Sequence, residues 1–534
     1  MLFRSAIAAD AQRLRQEALL ANPLLAFDRL LFVRRKAEVL SDYRRGQGPA
    51  HEIGMPCNHW SNSSLPRDGY DNELAVLSPV RPGGRRTTLH RPKDGGYVGE
   101  IDLHFDGTRL LFSRRDPTNW KVWEIGVDGT GLRQISRMPD DVDAYDACYL
   151  PDGRIVFGST ASYQAVPCWS GIPHRVANLY RMDADGGNVR QLCFDQDHDL
   201  YPTVRADGQV MYNRWDYTGI RHEYLRIQMT MNPDGTGQRA LYGSNSWWPN
   251  ALYFARPIPG QPDRMVGIVG DYHGVPRAGW LAVFDTSQGW HDTDGVVQLI
   301  PGRGRKVEPV IKEKLVTGTW PLFLHPFPLS EKYFLVSARL SPDHGWALYL
   351  ADVFDNLVLL HEEPGWALLE PVPVRATPTP PVIPDRIDPA ADTATVYLHD
   401  VYTGRAMAGV PRGTVKALRL FAYDFGYPKL AGSSRVGIGG PWEVNRILGT
   451  VPVEEDGSAY FRVPACTPLS LQPLDAEGRA VQVMRSWYTA MPGEKVSCIG
   501  CHERNSDLPR PGSAAAGRTV AATVSAALLR EPSE

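Results

Sequence analysis

Cys498-Ile499-Gly500-Cys501-His502 sets two thiols and an imidazole within five consecutive residues. C-x-x-C-H is the attachment pattern of c-type haem: each thiol can form a thioether to one vinyl group of the porphyrin, and the adjacent histidine can ligate the iron. With 7 Cys and 14 His in 534 residues, the pattern is seldom accidental. A zinc knuckle would want a second C-x-x-C. A redox dithiol would want a βαβ setting, whereas Ser486 to Gly493, ahead of the motif, reads as strand and turn. The expectation is one haem c held by Cys498 and Cys501, with His502 as the axial ligand. Met484 and Met491 are candidates for a sixth ligand, since a thioether raises the potential of such a haem; packing against aromatics is the plainer role for methionine.

Other candidates are sparser. Asp195-Gln196-Asp197-His198-Asp199 precedes an expected inner strand, and His325, Asn245 and Tyr145 with Asp143 fall at similar points of other repeats. They read as a metal or small-ligand site at a channel mouth, or as solvated turns and strand caps. Cys57, two residues before His59, is either a soft-metal ligand or haem contact, or a structural cysteine. Cys148 and Cys193 read as core. Zinc is the alternative to haem at the C-x-x-C-H. No Ser-His-Asp order, phosphate-cradling glycine loop or paired-carboxylate motif stands out.

The elements that must position these groups are strands. Gly 50, Pro 44 and 10% aromatic residues, with few long periodic apolar runs, describe a turn-rich, all-β protein. Asp-Gly turns punctuate the chain in two series. Asp106-Gly107, Asp152-Gly153 and Asp207-Gly208 each enter an apolar strand, and Asp128-Gly129, Asp185-Gly186 and Asp234-Gly235 each follow one. Their spacing of about 50 residues is near that of four-stranded propeller blades. Weaker copies at 264–269 and 332–337, and an early one at Asp28-Arg29-Leu30-Leu31-Phe32, bring the number to about six blades.

The domains expected are a helical segment over 1–23, a β-propeller over 24–370, a stiff Pro-rich linker over 371–390, and a small antiparallel β-sandwich-like haem domain over 391–510. A flexible or helical tail over 511–534 would follow. A net charge of -3 gives no pull toward nucleic acid, and no run is long and apolar enough to span a membrane. Haem c is attached outside the bacterial inner membrane, so a periplasmic or exported protein is expected. The first ten residues show only a short apolar core soon interrupted by charge, so the signal is expected to be cleaved or to lie upstream of Met1.

Four segments resemble the hydrazine synthase alpha subunit-like family: Val176 to Asp183, Gly243 to Asn250, Gly449 to Ser458, and Met484-Arg485-Ser486-Trp487 leading through Met491-Pro492-Gly493-Glu494 into the C-x-x-C-H. The resemblance covers roughly residues 25 to 505, and the hairpin pattern is similar to the TolB-type propeller repeat. It implies a periplasmic propeller joined to a haem domain, working with a redox partner protein and other subunits in electron transfer or in redox chemistry of small nitrogen species. In that family a tyrosine four residues beyond the motif histidine takes the iron and the histidine serves zinc. Ser506 stands at that position here, so His502 keeps the axial role. The family also carries a further haem domain, whereas this chain has one C-x-x-C-H, so no hydrazine synthesis is expected of it alone. The reading from another class is a propeller interaction module whose motif is empty or holds zinc.

Overall fold

The computed structural model describes residues 10, 13–37, 53–58, 60–66, 68–166, 174–216, 226–244, 246–427, 444–484 and 486–501. His502, Ser506, Asn245 and the tail over 511–534 lie outside these residues.

Among the described residues, six four-stranded antiparallel blades form a closed propeller, two of them joined into one sheet by the pairing of Gly279 with Phe323. Five open on the strands Val98–Leu103, Ala144–Tyr149, Asp199–Val204, Leu252–Ile258 and Leu322–Pro328, and take their next three strands in chain order. The sixth opens on Ala367–Pro373 and is completed by Leu30–Ala37, Tyr70–Ser78 and Arg85–His90. Ala367–Pro373 pairs antiparallel with Leu30–Ala37, so the two ends of the propeller close one blade. Each first strand packs on the first strand of the next sheet around the full ring. The early sequence copy at Asp28 is therefore the second strand of the last blade.

In an antiparallel meander the turns after strands one and three lie at the same end. Both Asp-Gly series consequently share one face of the propeller, while the connections between second and third strands share the other. Gly153, at φ 87°, shows why glycine recurs there: the turn needs a left-handed residue.

Residues 13–20 are helical, and Leu19 and Leu20 pack on the buried cluster that includes Leu30, Phe32 and Leu77. The second domain is a sandwich of two sheets, Ala459–Pro464, Thr393–Leu398 and Lys495–Cys498 facing Val444–Pro452, Ala417–Asp424, Pro468–Leu474 and Tyr488–Thr489. Period-two patterning builds its core: Ala394, Val396 and Leu398, with Phe461 and Val463 beside them on the same sheet, face Leu418, Leu420 and Ala422. The antiparallel expectation fails at one edge, where Lys495–Cys498 runs parallel to Thr393–Leu398. Parallel neighbours need a crossover, and here the chain builds the whole opposite sheet before returning.

The Pro-rich segment also differs from expectation. Its first residues, to Pro373, belong to the closing strand, and the rest lies along the Asp-Gly face instead of standing free. The Thr377 amide donates to the Phe105 carbonyl at 2.8 Å. The Asp385 carboxylate accepts from Arg181 at 2.8 Å and Arg154 at 3.0 Å, which holds it well below the usual carboxylate range. The Arg386 amide caps Asp234 of an Asp-Gly turn.

Candidate functional site

The strand Lys495–Cys498 delivers the first thiol, and the turn that follows is held by the loop after Thr393–Leu398. The His399 amide donates to the Cys498 carbonyl at 2.8 Å, the Asp400 amide to Ile499 at 3.0 Å, and the Cys501 amide to Thr403 at 2.7 Å. A Cβ on Gly500 would overlap the Thr403 carbonyl, and one on Gly404, at φ 112°, would overlap the Cys501 carbonyl. The backbones approach that closely because both residues are glycine. Cys498 and Cys501 are half-buried and packed on the sandwich core.

Beside this turn lies a cleft of about 500 Å³ between propeller and sandwich, lined by Trp487, Tyr488, Met484, Arg405, Arg214 and Arg239 among others. Two links tie it to the thiols. Arg405 follows Gly404 directly, and the Tyr488 phenol sits close enough to Cys498 to interact electrostatically. The Tyr488 hydroxyl is buried with no hydrogen-bond partner, and burial pushes its ionisation well above the usual value.

Trp487 fastens this region to the propeller. Its indole Nε1 donates to Asp195, the Arg214 guanidinium lies 4.4 Å from its ring centroid, and Tyr423 and Phe425 flank it. Arg214 also pairs with Asp216 at 2.7 Å and donates to Ser486 at 3.0 Å, and Ser486 donates to Asp216 at 2.7 Å. Met484 lines the cleft, whereas Met491 is buried against Gly235 of an Asp-Gly turn. Of the two methionines, only Met484 therefore faces the space beside the thiols.

The remaining sequence candidates do not form one site. Cys57 is buried where its carbonyl accepts from Arg277. His198 accepts the Ala177 amide at its Nδ1 at 3.0 Å and is fully buried. Asp199 comes together with Cys193 and Asp195, their ligating atoms all within 4.8 Å. Burial first, and then Asp195, raises the Asp199 carboxyl well above the usual range. Tyr145 is core, with its hydroxyl 3.5 Å from Ser63, and the Asp143 carboxylate accepts the Trp120 amide at 3.0 Å. His325 alone among these candidates lines the central channel.

Residues 413–503, which contain both cysteines, match the family described as hydrazine synthase alpha subunit middle domain. Hydrazine synthase subunit alpha of Kuenenia stuttgartiensis is 22% identical over 565 residues, covering 85% of this chain and 66% of that protein. The chain thus spans just under two thirds of that relative's length. The solved Kuenenia stuttgartiensis hydrazine synthase superposes with a TM-score of 0.70 at 16% identity, over 92% of this chain and 71% of that one. This chain is a hydrazine synthase alpha-like protein. TolB from Acinetobacter baumannii is a more distant likeness, with a TM-score of 0.37 at 9% identity over 64% of this chain and 66% of that one.

In this hydrazine synthase alpha-like chain, sequence reasoning missed Tyr488 and most of the channel lining. A signal for the channel was present. Glu100, Asp146 and Tyr201 each stand six positions before the Asp of an Asp-Gly turn, at 106, 152 and 207. Aligning the repeats on that Asp puts the three in register, as the structure does.

Proposed function

We propose that this chain is an exported, periplasmic c-type haem protein that serves electron transfer or redox chemistry of small nitrogen species alongside other subunits and a redox partner. The observation that carries the proposal is the Cys498–Cys501 turn, fixed by backbone hydrogen bonds to His399, Asp400 and Thr403, with Tyr488 of the neighbouring 500 Å³ cleft close to Cys498. Two half-buried cysteines two residues apart on one turn suit thioether attachment. Met484 and the edge of Tyr488 suit a flat apolar ring, and Arg405 and Arg239 suit its carboxylates. Cys498 and Cys501 would hold the group, and His502 of the motif would supply the axial nitrogen. When bound, the haem would exchange single electrons or hold a small ligand at an open sixth position.

The chain's own residues set that environment. Trp487 and the arginines around it keep the attachment segment on the propeller, and the Gly404 and Gly500 contacts fix the turn. The relative's name supports work within an assembly, since the Kuenenia protein is called a subunit. Alone, this chain is expected to make no hydrazine from nitric oxide and ammonium, because Ser506 stands in place of the family's tyrosine. Pyridine haemochrome absorption on protein made with the cytochrome c maturation machinery tests the reading. A haem c spectrum is expected. A colourless product, or one with zinc at the thiols, favours the interaction module instead.

A further inference from the structure

The first strands of the six blades share an irregularity. Each carries a bulge, and at each bulge one non-glycine residue adopts positive φ: Glu100 (57°), Asp146 (53°), Tyr201 (58°), Phe254 (50°), His325 (48°) and Glu370 (55°). Positive φ is costly for such residues and persists where the surroundings enforce it. Six occurrences at one structural position, one per blade, describe a ring built around the channel axis, and all six line a cavity of about 70 Å³.

The ring has two unlike halves. Glu370, Glu100 and Asp146 follow one another on one side. The Ile101 amide donates to Glu370 at 2.8 Å, the Asp146 amide to Glu100 at 2.9 Å, and the Tyr201 amide to Asp146 at 2.6 Å, so each carboxylate is oriented by the backbone of the next blade. Ser113 and Asn62 also donate to Glu100. On the other side Tyr201, Phe254 and His325 pack in sequence as tilted rings, with centroids 4.3 and 4.4 Å apart. The His325 Nδ1 is buried and has no hydrogen-bond partner.

One mouth is covered. The connection between the second and third strands of the last blade crosses it, with Asn62 on Glu100, Asn58 donating to the Asp271 and Val275 carbonyls at 2.9 and 3.0 Å, and Trp60 accepting from Arg277. The other mouth leads to a second cavity of about 190 Å³ that shares Asp102, Arg256 and Phe327 and continues to His104, Tyr149 and Thr377. The ring is a blind pocket entered from the Asp-Gly face.

We propose that this pocket binds a small organic ammonium ion, its charged head on Glu370, Glu100, Asp146 and the His325 Nδ1, its short apolar tail on Tyr201 and Phe254. Carboxylates on one wall and aromatic faces on the other are the chemistry that recognises an alkylammonium. A bare metal ion fits less well. Among the described residues, the ligating atoms that close within 4.8 Å of one another belong to Cys193, Asp195 and Asp199, and those of the channel form no such group. A polyatomic cation can bridge the wider ring, and the cavity has room for roughly five water-sized groups.

Charge balance makes the binding testable. Burial, and then the Asp146 charge, lifts Glu100 to about 8 against the Ser113 and Asn62 hydrogen bonds; burial lifts Asp146 to about 7 against Arg256 and Arg277, and Glu370 above its usual range against Arg35 and Arg256. Burial, with Arg35 and Arg256, keeps His325 neutral and able to accept a hydrogen bond. The empty ring therefore holds protons at neutral pH, and an incoming ammonium displaces them. The experiment is calorimetric titration of the full chain with propylammonium between pH 6.5 and 8.5 in buffers of different ionisation enthalpy. Saturable binding that tightens with pH and releases protons is expected, with at least a tenfold loss in Glu100→Gln and Asp146→Asn and a smaller loss in Phe254→Leu. No binding by the wild-type chain, equal binding of potassium or calcium in competition, or unchanged affinity in folded Glu100→Gln would overturn the proposal.

Discussion

Trp487→Ala is the sharpest test of how the attachment segment is held. The side chain is 3% exposed, its Nε1 donates to Asp195, and Arg214 lies over its face. Truncating a buried Trp costs about 3–5 kcal/mol through lost transfer and the cavity left behind. The cation–π contact adds about 0.5–2 kcal/mol, and leaving buried Asp195 short of a donor adds about 1–3 kcal/mol. These overlap because they share one side chain, so about 5 kcal/mol is a fair total, borne by the sandwich and its seam with the propeller. At about 4 °C per kcal/mol for a domain near 100 residues, the sandwich transition should fall by roughly 20 °C and separate from that of the propeller. Differential scanning calorimetry reads this directly. Trp487→Phe keeps most of the burial and loses the hydrogen bond, so it should shift by only about a third as much. A single transition within about 1 kcal/mol of wild type for Trp487→Ala would refute the reasoning.

Three further outcomes follow from named contacts. Glu100 and Asp146 titrate near 8 and 7 in the folded chain, above their ordinary 4.5 and 3.8, so the folded state holds protons that the unfolded state has lost. Their contribution to stability should fall as pH rises from about 4.5 to about 8. Urea midpoints at pH 5.5 and 8.5 should differ less in Glu100→Gln than in wild type, and an equal or larger difference would contradict the assignment. Asp385→Asn should weaken the strap on Arg154 and Arg181 by about 1–2 kcal/mol. Limited proteolysis should then cut the segment around 376–390 sooner, and an unchanged cleavage rate would show that the strap is held elsewhere. Gly404→Ala should displace the Cys501 carbonyl and lower the fraction of chains carrying haem, while Gly409→Ala, which adds only the strain of a positive φ and meets no neighbouring atom, should not.

Much of the fold was legible because the blades repeat. Asp-Gly turns fall at fixed points of a meander, and the echo between Asp28 and Gly107 revealed the strand that closes the ring. The parallel edge of the sandwich was not legible, because pairing direction depends on a crossover that residue patterns do not record. Cys498 and Cys501 announced themselves by spacing alone. His198 and Asp199 were placed toward the channel but are sealed beneath it, since a strand's entry point cannot be fixed to within one residue from turns. Apart from His325, the channel ring escaped notice because its members are chemically mixed: Glu, Asp, Tyr, Phe and His share a backbone position, not a side-chain type. The partner of Trp487, Asp195, lies 292 residues away in the chain, and no local pattern predicts such a contact.

The central claim is that Cys498 and Cys501 carry one haem. Intact-protein mass spectrometry of the chain produced with the cytochrome c maturation machinery, beside a Cys498→Ser, Cys501→Ser double variant, tests it most directly. The account predicts a mass increment of one haem in the first sample and none in the second. An unmodified wild-type mass from a host that matures a control cytochrome would contradict it.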